Sequence, residues 1–203
     1  MARQGEERGP APRGRGGGWL PLGAAAGTVV LLTAGWPALD AAVAGTAPVD
    51  PGRPVQVGTG HGHTASVEFG PGWTLDEGRS RDGRSYLFTR GPVELRLAAV
   101  GPAGPAAPDE LWEGLRRIVR VDDPTARLGE PRPVTSEHGA EGRTGPMRGD
   151  AASGSAAVFS APGGELAVEM VLAAGPGAPA ERLEEAERVF DTVAFGEDSG
   201  EAP

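Results

Sequence analysis

The chain has 203 residues, no cysteine and a net charge of −9. These numbers exclude a disulfide framework, thiolate metal sites, a Cys nucleophile and a lipidated N-terminal Cys. All nineteen basic residues are Arg and there is no Asn, a bias that points to a GC-rich bacterial genome and rules out N-linked glycosylation. From Val43 onward fifteen Arg stand against twenty-five Asp and Glu, so this part has no electrostatic footprint for nucleic acid.

Residues 1–18 are rich in Arg, Gly and Pro and carry too little apolar surface to offset the entropy of ordering, so they are expected to be a disordered cytoplasmic tail. From Gly16 to Leu39 no side chain is charged. The apolar part, placed at 19–39, runs from Trp19 to Trp36. As a helix it spans ~25 Å, near the ~30 Å of the hydrocarbon layer. Arg13 and Arg15 precede it, which keeps the N-terminus in the cytoplasm and the rest of the chain outside. The expectation is a single-pass anchor in the cell membrane. The competing reading is a signal segment, with secretion after cleavage at Ala42-Val43-Ala44 before Gly45.

Residues 40–63 read as a Pro/Gly linker. Thr64 to Phe69 then alternates with period two, placing Ala65, Val67 and Phe69 on one face of a strand. Gly70-Pro71-Gly72 turns the chain toward Trp73 and Leu75. Ser85–Thr89 and Val93–Val100 form a hairpin across Arg90-Gly91-Pro92, with Val93, Leu95 and Leu97 facing in. Asp109 to Val121 is the clearest helix, with Leu111, Trp112, Leu115, Ile118 and Val119 in one stripe. Acids fill its first turns, arginines its last, and Asp122-Asp123-Pro124 stops it.

Ala126 to Ala157 is Gly-rich and short of large apolar residues, so its strands are weakly marked, with His138-Gly139 as a hairpin tip. Ala157–Ser160 and Leu166–Leu172 are firmer strands, and Leu166, Val168, Met170 and Leu172 share a face. Pro179 to Val193 reads as a second amphipathic helix, and Phe195 ends the fold. The expected fold class is therefore α+β over residues 64–195: an antiparallel sheet with two packed amphipathic helices, preceded by one N-terminal transmembrane or signal helix. Residues 196–203 read as a disordered tail.

The strand leading to Pro71-Gly72-Trp73-x-Leu75, the two hairpins, the helix before a Gly-rich meander and the closing run Val189-Phe190-Asp191-Thr192-Val193-Ala194-Phe195 resemble PsbP/Mog1-like α/β/α sandwich domains. The likeness is to the small anchored or secreted actinobacterial proteins of that type. It covers Thr64 to Phe195 and rests on element order. It implies a role in binding and assembly and brings no catalytic residues.

Candidate chemistry is sparse. His61 and His63 lie two apart, so in an extended segment their rings share a face, as a metal pair requires. No third ligand is identifiable and Gly58, Gly60 and Gly62 surround them, so a solvated loop is the preferred reading and no metal or cofactor is expected. No G-x-S-x-G motif occurs, which argues against a Ser hydrolase. The carboxylate pairs Asp122-Asp123 and Glu184-Glu185 read as solvated faces. The glycines of 58–62 feed a strand, whereas a phosphate loop feeds a helix. Trp73 and Trp112 read as core. The functional expectation is a noncatalytic, membrane-tethered extracytoplasmic interaction module with a protein partner and the membrane as its contacts. The alternative is a small-ligand or metal-binding extracytoplasmic domain, or a degenerate enzyme.

Overall fold

The computed structural model describes residues 45–81 and 83–197. The chain opens with strand β1 (Thr46–Pro48), then a hairpin of β2 (Pro54–Gly60) and β3 (His63–Glu68). Next come β4 (Thr74–Asp76), β5 (Ser85–Arg90) and β6 (Val93–Val100), and helix α1 (Pro108–Asp122) follows. After β7 (Arg127–Leu128) and β8 (Arg132–Thr135), an antiparallel meander is made by β9 (Glu141–Arg148), β10 (Ser153–Ser160) and β11 (Ala167–Ala174). Helix α2 (Ala180–Glu187) tightens into a 3-10 helix (Arg188–Thr192), and β12 (Ala194–Glu197) closes the fold.

Nine strands form one antiparallel sheet in the order β1-β4-β5-β6-β11-β10-β9-β7, with β8 also paired to β9. A second sheet has the order β12-β3-β2. The inner core lies between the two sheets and α2. There Val57, Phe69, Trp73, Phe88, Leu95, Phe159 and Met170 are buried together. Phe69 packs obliquely on Phe88 at 4.3 Å between ring centres and meets Trp73 edge-on at 5.6 Å, the T-shaped arrangement that aromatic pairs prefer. A second cluster lies on the opposite, outer face of the large sheet. It packs Leu111, Trp112, Leu115 and Val119 of α1 against Leu128, Met147, Ala156 and Val158.

Helix α1 begins where the sequence places it. Pro108 sits in the first turn, Glu110 reaches back to the backbone N–H of Ala107, and Asp109 and Glu110 face the positive end of the dipole. Its stripe of Leu111, Trp112, Leu115 and Val119 is buried, while Ile118 is half exposed.

The expected fold class needs correction. The described residues are mostly β, with 45% of them in strands and 18% in helices, in place of the expected α+β fold of one antiparallel sheet with two packed amphipathic helices. Three misreadings account for the difference. Residues expected to be linker form β1 and most of the β2–β3 hairpin, and β2 builds a second sheet. The Gly-rich stretch before Ala157 forms long ladders between β8, β9 and β10. The second helix has only eight α-helical residues before it narrows to 3-10 geometry at Arg188. The transmembrane or signal helix of the expected fold, at 19–39, lies outside the described residues, as does the expected tail at 1–18. Of the expected tail at 196–203, Gly196 and Glu197 instead pair in β12, and 198–203 lies outside the described residues. Among the described residues, no helix is long and apolar enough to cross a membrane.

Candidate functional site

His61 and His63 do not share a strand face. His61-Gly62 is the two-residue turn of the β2–β3 hairpin, and both residues have positive φ (51° and 78°). The left-handed backbone at His61 breaks the period-two alternation that would align the rings. His63 is the first residue of β3, opposite Gly60 and Glu197. His61 Nδ1 lies 4.0 Å from Glu165 Oε2, and both side chains are exposed. Among the described residues, no group of three or more His, Asp or Glu side chains is close enough to hold a metal ion. His138-Gly139 occupies the turn between β8 and β9.

Two clefts open on the surface. The larger, about 580 Å³, lies at one end of the large sheet. It is bounded by the entry to α1 (Pro105–Ala107), the His138–Glu141 turn, the Pro162–Gly164 turn and Phe195. Its walls are chiefly backbone, Ala, Gly and Pro, and its titratable side chains are His138 and Glu141. The smaller, about 450 Å³, surrounds the ion pair of Arg90 Nη2 with Glu185 Oε1, 2.6 Å long. The hydrogen bond from Arg90 holds the Glu185 carboxyl below its usual range. That pair bridges the Arg90 turn to α2, which gives it a structural role.

The third feature lies on the outer face of the large sheet. Helix α1 packs over β10, β9 and β7. On that side Arg143 grips Asp109 through two bonds of 2.6 and 2.9 Å, and Arg116 Nη2 donates to the Gly129 carbonyl. The other flank of α1 faces β6, where Arg96 Nη1 meets Asp122 Oδ2 at 3.2 Å. Ile118 lies one turn before Asp122 and so belongs to this flank, with Gly114 one turn earlier again. Ile118 is 47% and Val121 81% exposed. Beyond the footprint of α1, the outer face of β5 is covered at Leu87, which is buried beside the β4–β5 loop through the bond from its N–H to Ser80 Oγ, whereas on β6 Arg96 is exposed and Glu94, Ala98 and Val100 are half-buried.

Glu169 sits beside this flank. On β11, Val168, Met170 and Leu172 enter the inner core and Ala167 the outer one. Alternation therefore turns Glu169 to the outer face, where its cross-strand neighbours are Val158 and Ala98. Glu169 is only 8% exposed, and no hydrogen bond or ion pair reaches its carboxylate among the described residues. Desolvation pushes its carboxyl up to about 7. Arg96 is the nearest cation on that face by register, opposite Val171 and thus diagonal to Glu169, yet its guanidinium is turned to Asp122.

Sequence reasoning missed Glu169, because a strand residue facing away from the core reads as solvated. One signal was present: Ala167, Val171 and Ala173 make that same face otherwise apolar.

No protein-family model matches this chain, and a search of the curated proteins finds no match. Among solved structures, a protein of Bacteroides thetaiotaomicron is similar over 68% of this chain at 16% identity, with a TM-score of 0.36. This chain spans about half the length of that protein, 47% of it. A score that low carries no argument about fold or function.

Proposed function

We propose that the chain is a noncatalytic, membrane-tethered extracytoplasmic module that binds a protein partner. The observation that carries the reading is the partly open outer face of β6 beside Ile118 and Val121, both exposed on α1. Large apolar side chains grouped beside a partly open sheet face are a feature of protein contact surfaces. The apolar segment at 19–39, with Arg13 and Arg15 before it, supports the tether and the outward placement of the domain. The likeness to PsbP/Mog1-like domains enters the same reading, since that family serves binding and assembly.

The two clefts favour the small-ligand alternative, but neither gathers several polar groups onto one point, as a ligand site needs. Cleavage before Gly45 would give the same domain as a secreted protein.

The test has two arms. A reporter fused after Pro203 is expected to be active only in its extracytoplasmic form; activity in the cytoplasm overturns the placement. Crosslinking in cells, followed by purification in detergent, is expected to yield a defined complex with one protein. A bound small molecule or metal in place of a protein would favour the alternative.

A further inference from the structure

We infer that the groove between the Gly114–Ile118 flank of α1 and strands β11 and β6 is a docking site for a partner polypeptide that brings one Arg or Lys, flanked by apolar side chains, to Glu169. The inference rests on the interaction-module reading and names the surface and the chemistry of its partner.

Four observations converge on this groove. The first is the carboxylate itself. Glu169 is 8% exposed, its carboxylate oxygens keep contact with solvent, and it has no hydrogen-bond or ion-pair partner among the described residues. A carboxylate so largely desolvated and without a partner favours either a proton or an incoming cation, and its tip is open to one. The second is its charged surroundings. On β6 the same face carries Glu94 and Arg96, and on α1 the groove flank carries Asp122. Arg96 is held by Asp122, while Glu94 lies near Arg79 at 3.5 Å. On β10, Ala156 and Val158 share the face, and on β11 Ala167 and Val171, none of them titratable. The nearest basic group by register is therefore already engaged, and Arg117, beside Ile118 on α1, is exposed and donates to the Glu113 carbonyl, so no cation of the described residues pairs with Glu169 and a partner can supply one.

The third observation is shape. The floor is made of Ala98, Val100 and Val171, which are small and only partly buried. Gly114 leaves the helix wall without a side chain, and a Cβ built there meets nothing within 4 Å. A glycine inside a helix costs roughly 1 kcal/mol against alanine, and here it keeps the groove open. The fourth is the rim. Ile118 and Val121 stand exposed along the same flank, so a partner would bury apolar surface around the ion pair and exclude water from it. A largely desolvated carboxylate beside an apolar rim fits a short segment with a central Arg or Lys.

The full-length protein in nanodiscs, immobilised, is the target for selection of phage-displayed random dodecapeptides. The peptides retained are expected to carry a single Arg or Lys between apolar residues more often than the unselected library. The best of them is then measured by calorimetry against four targets. It is expected to bind Glu169→Gln and Gly114→Trp at least about tenfold more weakly than the parent, since a buried pair that loses one charge forfeits that much or more. Its Arg→citrulline analogue is expected to lose as much on the parent protein, a readout that needs no protein variant to fold. Binding to His61→Ala/His63→Ala, remote from the groove, is expected to be unchanged. Selected peptides without basic enrichment, or affinity indifferent to Glu169→Gln or to citrulline, overturn the assignment. A crosslinked native partner that binds both groove variants normally would overturn this site while leaving the interaction-module reading intact. A cytoplasmic reporter would overturn the extracytoplasmic placement and leave this site intact.

Discussion

At the scale of single residues, Glu169 makes the stability of this protein depend on pH in an unusual direction. Its carboxyl is pushed up to about 7 in the fold by desolvation, against an ordinary value of 4.5. Between those two values the folded chain holds a proton that the unfolded chain has released, so stability falls as pH rises through that window. Below about 4.5 the contribution is fully present, and above about 7 it is gone, a difference of order 3 kcal/mol. Asp109, Asp123 and Glu185 act oppositely. Each is held below its usual range, Asp109 by Arg143, Asp123 by the Thr125 hydroxyl and Glu185 by Arg90. Their stabilisation is present at neutral pH and is lost on strong acidification, below the window of Glu169. Chemical denaturation at pH 8 and pH 5 is expected to show the wild type more stable at pH 5. Glu169→Gln is expected to flatten that difference and to exceed the wild type at pH 8 by roughly 2–3 kcal/mol. Equal slopes for the two proteins would mean that Glu169 is solvated.

At the scale of elements, α1 carries the clearest wager. Trp112 is fully buried, and its ring lies against β9 at Gly145, where a Cβ would stand 3.0 Å from the indole and from the Glu130 carbonyl. Trp112→Ala is expected to cost ~3–5 kcal/mol, the range for emptying a large aromatic site. Gly145→Ala is expected to cost ~1–3 kcal/mol by overpacking. If ring and glycine are one contact, the two changes are not additive: Gly145→Ala costs less once Trp112 is Ala, a coupling that urea melts of the four proteins measure directly. This contact also explains why α1 was legible in the sequence and β9 was not. The stripe of Leu111, Trp112, Leu115 and Val119 repeats at helical spacing, a purely local signal. Gly142 and Gly145 look like strand breakers, yet Gly142 lies too close to the Val158 carbonyl for any side chain, and Gly145 makes room for the indole. What fixes those glycines is a neighbour distant in sequence, which no local period reveals.

At the scale of the whole molecule, the same principle moves the start of the domain. The strands near Val67, Leu95 and Val168 were legible because branched and aromatic residues alternate there, and β6 falls on the predicted residues. In β2, only Val55 and Val57 stand out against Pro54, Gly58 and Gly60, so the segment reads as a spacer. Its structure comes from packing across the fold. Val57 follows Val55 by two residues and so faces the inner core, where it is fully buried; the bulge between Gln56 and Gly58 then puts Gly58 on the same face, abutting the Ala99 side chain on β6 so closely that no Cβ fits. Strand β1 pairs with β4 and extends the large sheet beyond it. The Glu169 groove was illegible for a related reason, since only the order β6-β11-β10 sets that residue beside α1. A fragment of residues 45–197 is therefore expected to unfold in one cooperative urea transition with a fixed near-ultraviolet spectrum. A fragment of 64–197 would lose β1 and β2, leave the inner residues of β6 uncovered, and expose both edges of what remains of the small sheet. It is expected to lack that transition, and Val57→Ala in the longer fragment to cost roughly 2–4 kcal/mol. If residues 64–197 alone kept the transition midpoint of the longer fragment, β2 would be an appendage and the inner core would close without it.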